Sequence, residues 1–439
     1  MEWIETTVGE FCPFSYGKSL PQSKRIEGDY PVYGSNGIVG FHKEPNIKSH
    51  GIIIGRKGSV GEIHLSLTPF WAIDTSFYTV KESLPELKFT YYLLKTLGLN
   101  AMNSDSAVPG LNRDNAHSVK IKIPKFQSDR EKIAEFLSTF DQKITLNTQT
   151  NQTLEQIAQG IFKHWFIDFT PVHAKANALA AGASLEQAEL ATMACLSGKT
   201  IAEITALQHT TPEAYHQLQQ TAQAFPSEFV ESEMGLVPKG WEVTTIGHIA
   251  DIIKGKSYKS SELEPSDTAL VTLKSFQRGG GYRLDGLKEF SGKYKPEQEV
   301  YVGELIIAYT DVTQAADIIG KPAMVMGNKK YKHLVISLDV GVVRPKDKDL
   351  KYFLYCLAMT ENFQQHTKSF CSGTTVLHLG KNAIPSFQFI MPDTQLLKEL
   401  NKRLEPIFTK ININIQENES LSETRDLLLP KLLNGEIEL

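Results

Sequence analysis

Cysteine is scarce: four residues in 439. Cys12, Cys195, Cys356 and Cys371 show no CxxC spacing and no neighbouring histidine cluster. Neither zinc nor a disulfide framework is therefore expected, and a reducing cytoplasm fits best. No apolar run reaches the roughly 18 residues that a membrane span needs, and Met1-Glu2-Trp3 does not open like a signal peptide. Strong charge is lacking too, since the net charge is −4. That small sum hides a mild alternation. Residues 1–127 hold 14 Lys+Arg against 12 Asp+Glu and residues 241–394 hold 19 against 17, while 128–240 hold 7 against 13 and 395–439 hold 6 against 8. Two weakly basic stretches on an acidic frame permit a polyanionic partner without arguing for one.

Catalytic motifs are missing as well. Gly17-Lys18-Ser19 and Gly255-Lys256-Ser257 lack the glycine that a phosphate-binding P-loop requires five residues earlier; Cys12 and Ala250 stand there. The run Gly55-Arg56-Lys57-Gly58-Ser59-Val60-Gly61 is not a GxGxxG dinucleotide loop. There is no Asp-Pro-Pro-Tyr or Asn-Pro-Pro-Phe signature of base-amino methyltransferases, no HExxH and no GxSxG. Carboxylates beside strands, such as Asp74, Asp311 and Asp339, could serve as general bases, but Asp in such places is more often a turn or cap residue. Nothing supports catalysis by this chain alone.

What is present is repetition. A heptad seam runs through Ile133, Leu137, Phe140, Ile144, Asn147, Asn151, Leu154, Ala158, Ile161 and Trp165. It returns 267 residues later as Leu400, Leu404, Ile407, Ile411, Asn414, Asn418, Leu421, Arg425, Leu428 and Leu432. Steps of four and three place one stripe along a helix that packs lengthwise on another helix. The two asparagines recur at matching seam positions, as expected of helices whose polar layers fix a shared register. Pro406 is expected to bend the second helix and Pro430 to end its continuous part early.

The rest of the chain repeats too. Trp3-Ile4-Glu5-Thr6-Thr7-Val8-Gly9 is matched by Trp241-Glu242-Val243-Thr244-Thr245-Ile246-Gly247 at an offset of 238, which grows to 267 or 268 near Asn115 and Pro124. Growing offsets mean one fold copied twice, with insertions in the loops of the second copy. Short β-branched runs such as Gly51–Ile54, Phe77–Val80, Leu305–Ile307 and Val340–Val343 mark each copy as mostly β, with short helices expected over Phe89–Leu97 and Tyr352–Met359. Between the copies, Ala174–Ala224 is rich in helix formers, and Phe225–Gly240 reads as an extended lead-in. The divisions are 1–127, 128–167, 168–240, 241–394 and 395–439.

Each copy carries polar turns suited to a surface reader. Arg56 and Lys57, flanked by glycines, offer charge-assisted bonds to phosphate, or Arg56 a bidentate pair to guanine; the alternative is a tight hairpin with two solvated cations. Asn36 lies in the turn Tyr33-Gly34-Ser35-Asn36-Gly37, where it can simply supply a positive φ. In the second copy Thr310, Asp311, Thr313 and Gln314 follow a strand. They suit base edges or, equally, the loop's own backbone. Lys274, Arg278 and Arg283 flank a Gly run in a loop that is either DNA-facing or merely mobile.

These pieces, in order, resemble the specificity subunit of type I restriction–modification systems. The resemblance spans both halves and the linker. It rests on Gly240–Gly247, on Tyr33–Gly37 followed by Ile54–Gly61, on Met234–Trp241, on Phe162–Phe169 and on Leu427–Glu436. It implies an α+β fold: two pseudo-repeated, mostly-β target recognition domains separated by two long antiparallel helices forming a coiled coil. Each domain would read one half of a split site in double-stranded DNA. The helices would dock two methyltransferase (modification) subunits, and translocase–endonuclease (restriction) subunits would join them. S-adenosylmethionine, ATP and Mg would belong to those partners, with no cofactor or metal in this chain and no membrane association. Candidate DNA-binding residues are Lys18, Asn36, Arg56, Lys57, Ser59, Asn112, Arg113, Lys256, Lys274, Arg278, Arg283, Thr310, Asp311, Thr313, Gln314, Thr374 and Thr375. A second reading stays open, a non-catalytic scaffold with duplicated modules for protein or sugar.

Overall fold

The computed structural model describes residues 1–102, 110–311, 317–374 and 376–439. It divides into two compact units, Met1–Leu146 with Glu417–Leu439, and Asn147–Gln416.

In the first unit the strand Trp3–Thr7 pairs antiparallel with Lys120–Pro124. An antiparallel four-stranded sheet runs in the order Ser15–Tyr16, Ser76–Thr79, Gly51–Gly55, Ile63–Ser66. Beside it, Tyr30–Gly34 pairs antiparallel with Gly37–His42 and parallel with Trp71–Ala72. The helix Leu84–Thr96 starts five residues earlier than expected, because Ser83 caps it by accepting from the Glu86 N–H. Ile52, Ile54, Phe77, Leu87 and Phe89 form the core together with Ile133 and Leu137 of the first long helix and Leu429, Leu432 and Leu433 of the second. The first helix is tied in by Arg130. Its Nε donates to both Glu86 oxygens, at 2.8 and 3.1 Å, and its Nη1 to the Pro124 and Lys125 carbonyls.

The second unit repeats this plan. Glu242–Thr245 pairs antiparallel with Gln388–Met391. The four-stranded sheet Ala250–Lys254, Val340–Pro345, Leu305–Ala308, Pro322–Met324 has the order and sense of its counterpart. Thr268–Val271 again pairs parallel with one strand, His333–Ile336, and antiparallel with another, Lys288–Glu289. The copies agree hydrogen bond by hydrogen bond. Gly17 N to Ser76 O (3.1 Å) and Lys18 N to Ala72 O (2.8 Å) are matched by Gly255 N to Val340 O (3.0 Å) and Lys256 N to Ile336 O (2.8 Å). A Cβ on Gly17 would fall 2.0 Å from the Ile73 carbonyl oxygen and one on Gly255 2.1 Å from that of Ser337, so backbone proximity demands glycine in both places.

The long helices span Gln127–Phe162 and Thr394–Leu433. The first ends in a π-helical turn, Lys163–Ile167. None of the expected seam residues is exposed. Within the first unit Asp141 binds Arg425 and Lys143 lies 3.4 Å from Glu417. Within the second, Asn414 Nδ2 donates to Asn151 Oδ1 at 2.8 Å, and the Arg403 guanidinium lies 5.3 Å from the centre of the Trp165 ring. Numbers rise along one helix as they fall along the other, so the pairing is antiparallel. Pro430 does not end the second helix, which runs on to Leu433. Both Pro406 and Pro430 are exposed, so the carbonyls left without an amide partner can be hydrated, and near a terminus few helical bonds remain to be lost.

The segment between copies belongs to the second unit and holds four helices, Thr170–Ala180, Leu185–Ser197, Ile201–Thr210 and Pro212–Ala224. Buried Lys175 donates to the carbonyls of Ala222 (3.2 Å) and Phe225 (2.9 Å), placing a cation on the negative end of the last helix. The expected extended lead-in is instead a hairpin, Phe229–Ser232 with Gly235–Pro238, and Gly235 supplies the positive φ its turn needs. Among the described residues no helix is long and apolar enough to cross a membrane.

Candidate nucleic-acid interface

In the first unit the candidates from four separate stretches meet at one end of the four-stranded sheet. As Gly51–Gly55 ends, the chain turns through Arg56-Lys57-Gly58. The amides of Arg56 and Lys57 both donate to the Thr75 carbonyl, at 2.9 and 3.1 Å. Leu111 N donates to Arg56 O at 2.8 Å and Gly110 bridges Lys57, which brings Asn112 and Arg113 alongside. Asn112 caps the short helix Arg113–His117 by accepting from the Asp114 and Asn115 amides. The Ser35–Asn36 turn arrives from the other side: a Cβ on Gly55 would lie 3.1 Å from Ser35 O, and one on Gly58 3.5 Å from Ser35 Oγ. Lys18 is held by its bond to Ala72. Lys18, Asn36, Lys57 and Asn112 are exposed, while Arg56, Ser59 and Arg113 are half-buried. Among the described residues Lys18, Arg56 and Lys57 have no carboxylate partner.

At the centre of this cluster is a residue the sequence reading passed over. Tyr16 is 49 % exposed, yet its ring packs edge-on against buried Phe77, with centroids 5.0 Å apart. The Arg56 guanidinium lies 4.9 Å from the centre of the Tyr16 ring and that of Arg113 lies 5.1 Å from it. Arg56 also bonds the Asp74 carbonyl through Nη1 at 3.2 Å, and Arg113 Nε reaches Asp114 Oδ1 at 3.3 Å. Two arginines thus share one aromatic platform.

The second unit builds the same corner from other side chains. Tyr309 N donates to Asp339 O and Leu379 N to Tyr309 O, each at 2.8 Å, so Tyr309 stands where Arg56 stands in the first unit. Lys254 stands where Tyr16 does, and its Nζ lies 4.7 Å from the centre of the Tyr309 ring. The cation–aromatic pair is kept with its members exchanged. Tyr309 is buried, which pushes its phenol up to about 12.

The other candidates in this unit separate. Thr310 and Asp311 are buried. Thr310 Oγ1 donates to Asp339 Oδ1 at 2.9 Å, and Asp311 Oδ2 accepts from the Ile318 and Ile319 amides at 2.7 and 3.1 Å, and these three bonds serve the loop's own frame. Lys256 faces Glu262 at 3.8 Å. Thr374 is exposed beside the hairpin Cys371–Ser372 and Leu377–Leu379 that pairs with Thr310–Asp311. Lys274, Arg278 and Arg283 are exposed on the loop 273–286, where Arg283 is engaged by Asp285. Thr313, Gln314 and Thr375 lie outside the described residues. Among the described residues no group of three or more His, Cys, Asp or Glu side chains could hold a metal ion.

Comparison with known proteins places the chain. The model of the type I restriction modification DNA specificity domain matches residues 1–156 and 238–423, omitting the whole of the four-helix segment. The chain is 33% identical over 390 residues to the type I restriction enzyme HindI specificity subunit of Haemophilus influenzae, covering 84% of this chain and 81% of that one. It is 25% identical to the MjaIX specificity subunit of Methanocaldococcus jannaschii, covering 88% and 77%. A type I S subunit from M. genitalium aligns in structure over 99% of this chain and 96% of its own, with a TM-score of 0.48 and 16% identity. On the extent of the domain match and the identity to the Haemophilus protein, the chain belongs to the type I restriction–modification DNA specificity family.

Proposed function

We propose that this chain is the sequence-reading, non-catalytic subunit of a type I restriction–modification complex in the cytoplasm. Each unit reads one half of a bipartite duplex site, and the paired helices dock two methyltransferase subunits, to which translocase–endonuclease subunits are added. S-adenosylmethionine, ATP and Mg are bound by those partners. The observation that carries this reading is the strand-end corner built twice on one hydrogen-bond plan with different side chains. A frame shared by both copies and carrying exchanged side chains suits two related modules that read different sequences.

Adenine-methylation profiling of a host genome carrying the chain with its partners tests it. The expected result is a two-part motif with an unread spacer. Inserting one heptad in each long helix should lengthen that spacer by roughly 3 base pairs, from about 10 Å of helix against about 3.4 Å per pair. A continuous motif, or no motif at all, refutes the reading.

A further inference from the structure

The Tyr16 corner has more order than DNA affinity alone requires. A cation that neutralises phosphate need only be near and exposed, as Lys18 and Lys57 are. Arg56 is instead fixed on three sides: by the Tyr16 ring, by the Phe77 ring at 5.7 Å, and by the Asp74 carbonyl. It differs from the arginines that hold the fold together. Arg130, Arg344 and Arg425 each engage a carboxylate, of Glu86, Glu304 and Asp141 respectively. The bond to Asp74 leaves most of the Arg56 donors uncommitted at a surface where 49 % of Tyr16 is exposed. A guanidinium held over an aromatic ring with donors to spare is a planar fork arranged in advance, and the base edge matching that fork is the O6/N7 pair of guanine.

We infer that Tyr16 is a positioning residue that holds Arg56, with Arg113 stacked beside it, as a guanine-reading fork, so the half-site read by the first unit contains a G·C pair specified through Arg56. The inference rests on the function proposed above and names the chemistry of one of its two readers. The second unit supplies the contrast. Lys254 over Tyr309 presents a point charge where the first unit presents a fork, so the two halves are read by different chemistry at equivalent corners.

The test profiles methylation by the complete complex carrying Arg56→Lys, Tyr16→Phe or Tyr16→Ala. Arg56→Lys keeps the charge but removes the fork. It should relax one G·C position in one half of the motif by about 5- to 150-fold while leaving the other half unchanged. Tyr16→Ala should relax that same position, and Tyr16→Phe, which keeps the ring, should retain it. Uniformly weaker methylation with unaltered base preference in Arg56→Lys would assign Arg56 to phosphate and overturn the inference. So would a Tyr16→Ala variant that relaxes nothing, or a different base.

A second measurement needs no variant. Duplexes carrying 7-deazaguanine at each motif guanine in turn, on either strand, lack that guanine's N7 acceptor, and the wild-type complex should bind at least one of them more weakly than normal duplex. Equal binding overturns the inference even if a substituted chain fails to fold. Absence of any two-part motif with the wild-type chain would instead sink the function proposed above, which keeps the two failures distinct.

Discussion

Replacing Glu86 by alanine should loosen the first unit far more than replacing Glu86 and Arg130 together. Glu86 is buried and Arg130 is largely covered, with 7% and 12% of their side-chain surfaces exposed, and they lie 2.8 Å apart. Loss of the carboxylate leaves the Arg130 guanidinium against the Pro124 and Lys125 carbonyls, with only the solvent-screened Glu131 carboxylate nearby to balance it. Breaking a buried pair from one side costs about 3–5 kcal/mol. Burial pushes the Glu86 carboxyl above its ordinary value even though Arg130 and Lys81 pull it down. Desolvation therefore consumes what the attraction supplies, and the pair as a whole contributes little. A Glu86→Leu/Arg130→Met double variant should accordingly lie within about 1 kcal/mol of wild type. Amide hydrogen exchange resolved over 84–96 and 127–140 suits a chain of two units, because it reads local opening. Protection there should fall by roughly two to three and a half orders of magnitude in Glu86→Ala, at about 1.4 kcal/mol per decade, and recover in the double variant. A less than tenfold loss in the single variant, or a double variant worse than the single, would refute the reasoning.

Other outcomes can be stated as directly. Gly17→Ala and Gly255→Ala should each cost on the order of 2–4 kcal/mol in thermal or urea unfolding, since the new Cβ meets a backbone oxygen at about 2 Å; unchanged stability would contradict the geometry. Asn151→Leu with Asn414→Leu should raise the melting temperature while relaxing register, so that cysteine pairs placed one heptad out of step begin to cross-link; a lower melting temperature with a single register would count against a specifying role. Burial raises the carboxyl of Glu155, which accepts from Tyr355 Oη at 3.3 Å. A carboxyl raised in the folded state contributes stability at low pH that is lost as pH climbs through its folded value. Glu155→Gln should therefore stabilise the second unit at pH 7 relative to wild type and change it little at pH 4; an equal effect at both would refute the assignment.

The duplication and the seam were legible because both are periodic. The matched openings at Trp3 and Trp241 became equivalent strands, and the heptads became a stripe without an exposed member. The helix Arg113–His117 was not legible, being five residues long with Asn112 as its main signal. The hairpin at Phe229–Pro238 was hidden by prolines that suggested plain extension. Pro430 misled because a proline rule written for helix interiors applies weakly in the last turn. For the site, Lys18, Asn36, Arg56, Lys57, Ser59, Asn112 and Arg113 were named from residue type and do converge. Thr310 and Asp311, named on the same grounds, are buried. Tyr16 was missed because a ring shared by two distant arginines leaves no spacing to read. One signal was available: the two copies, laid side by side, put lysine opposite Tyr16 and tyrosine opposite Arg56, an exchange within one chain that marks a touching pair.

The first unit takes its core from two segments far apart in the chain, since Leu429, Leu432 and Leu433 pack with Ile52, Phe77 and Leu137. During synthesis Met1–Leu146 leaves the ribosome long before Glu417–Leu439 exists, with residues 147–416 made in between. At about 5–20 residues per second that wait is roughly 15–60 s. Met1–Leu146 must therefore persist with an open apolar flank until Glu417–Leu439 is made, so a nascent chain arrested before Glu417 leaves that segment exposed to proteases and chaperones.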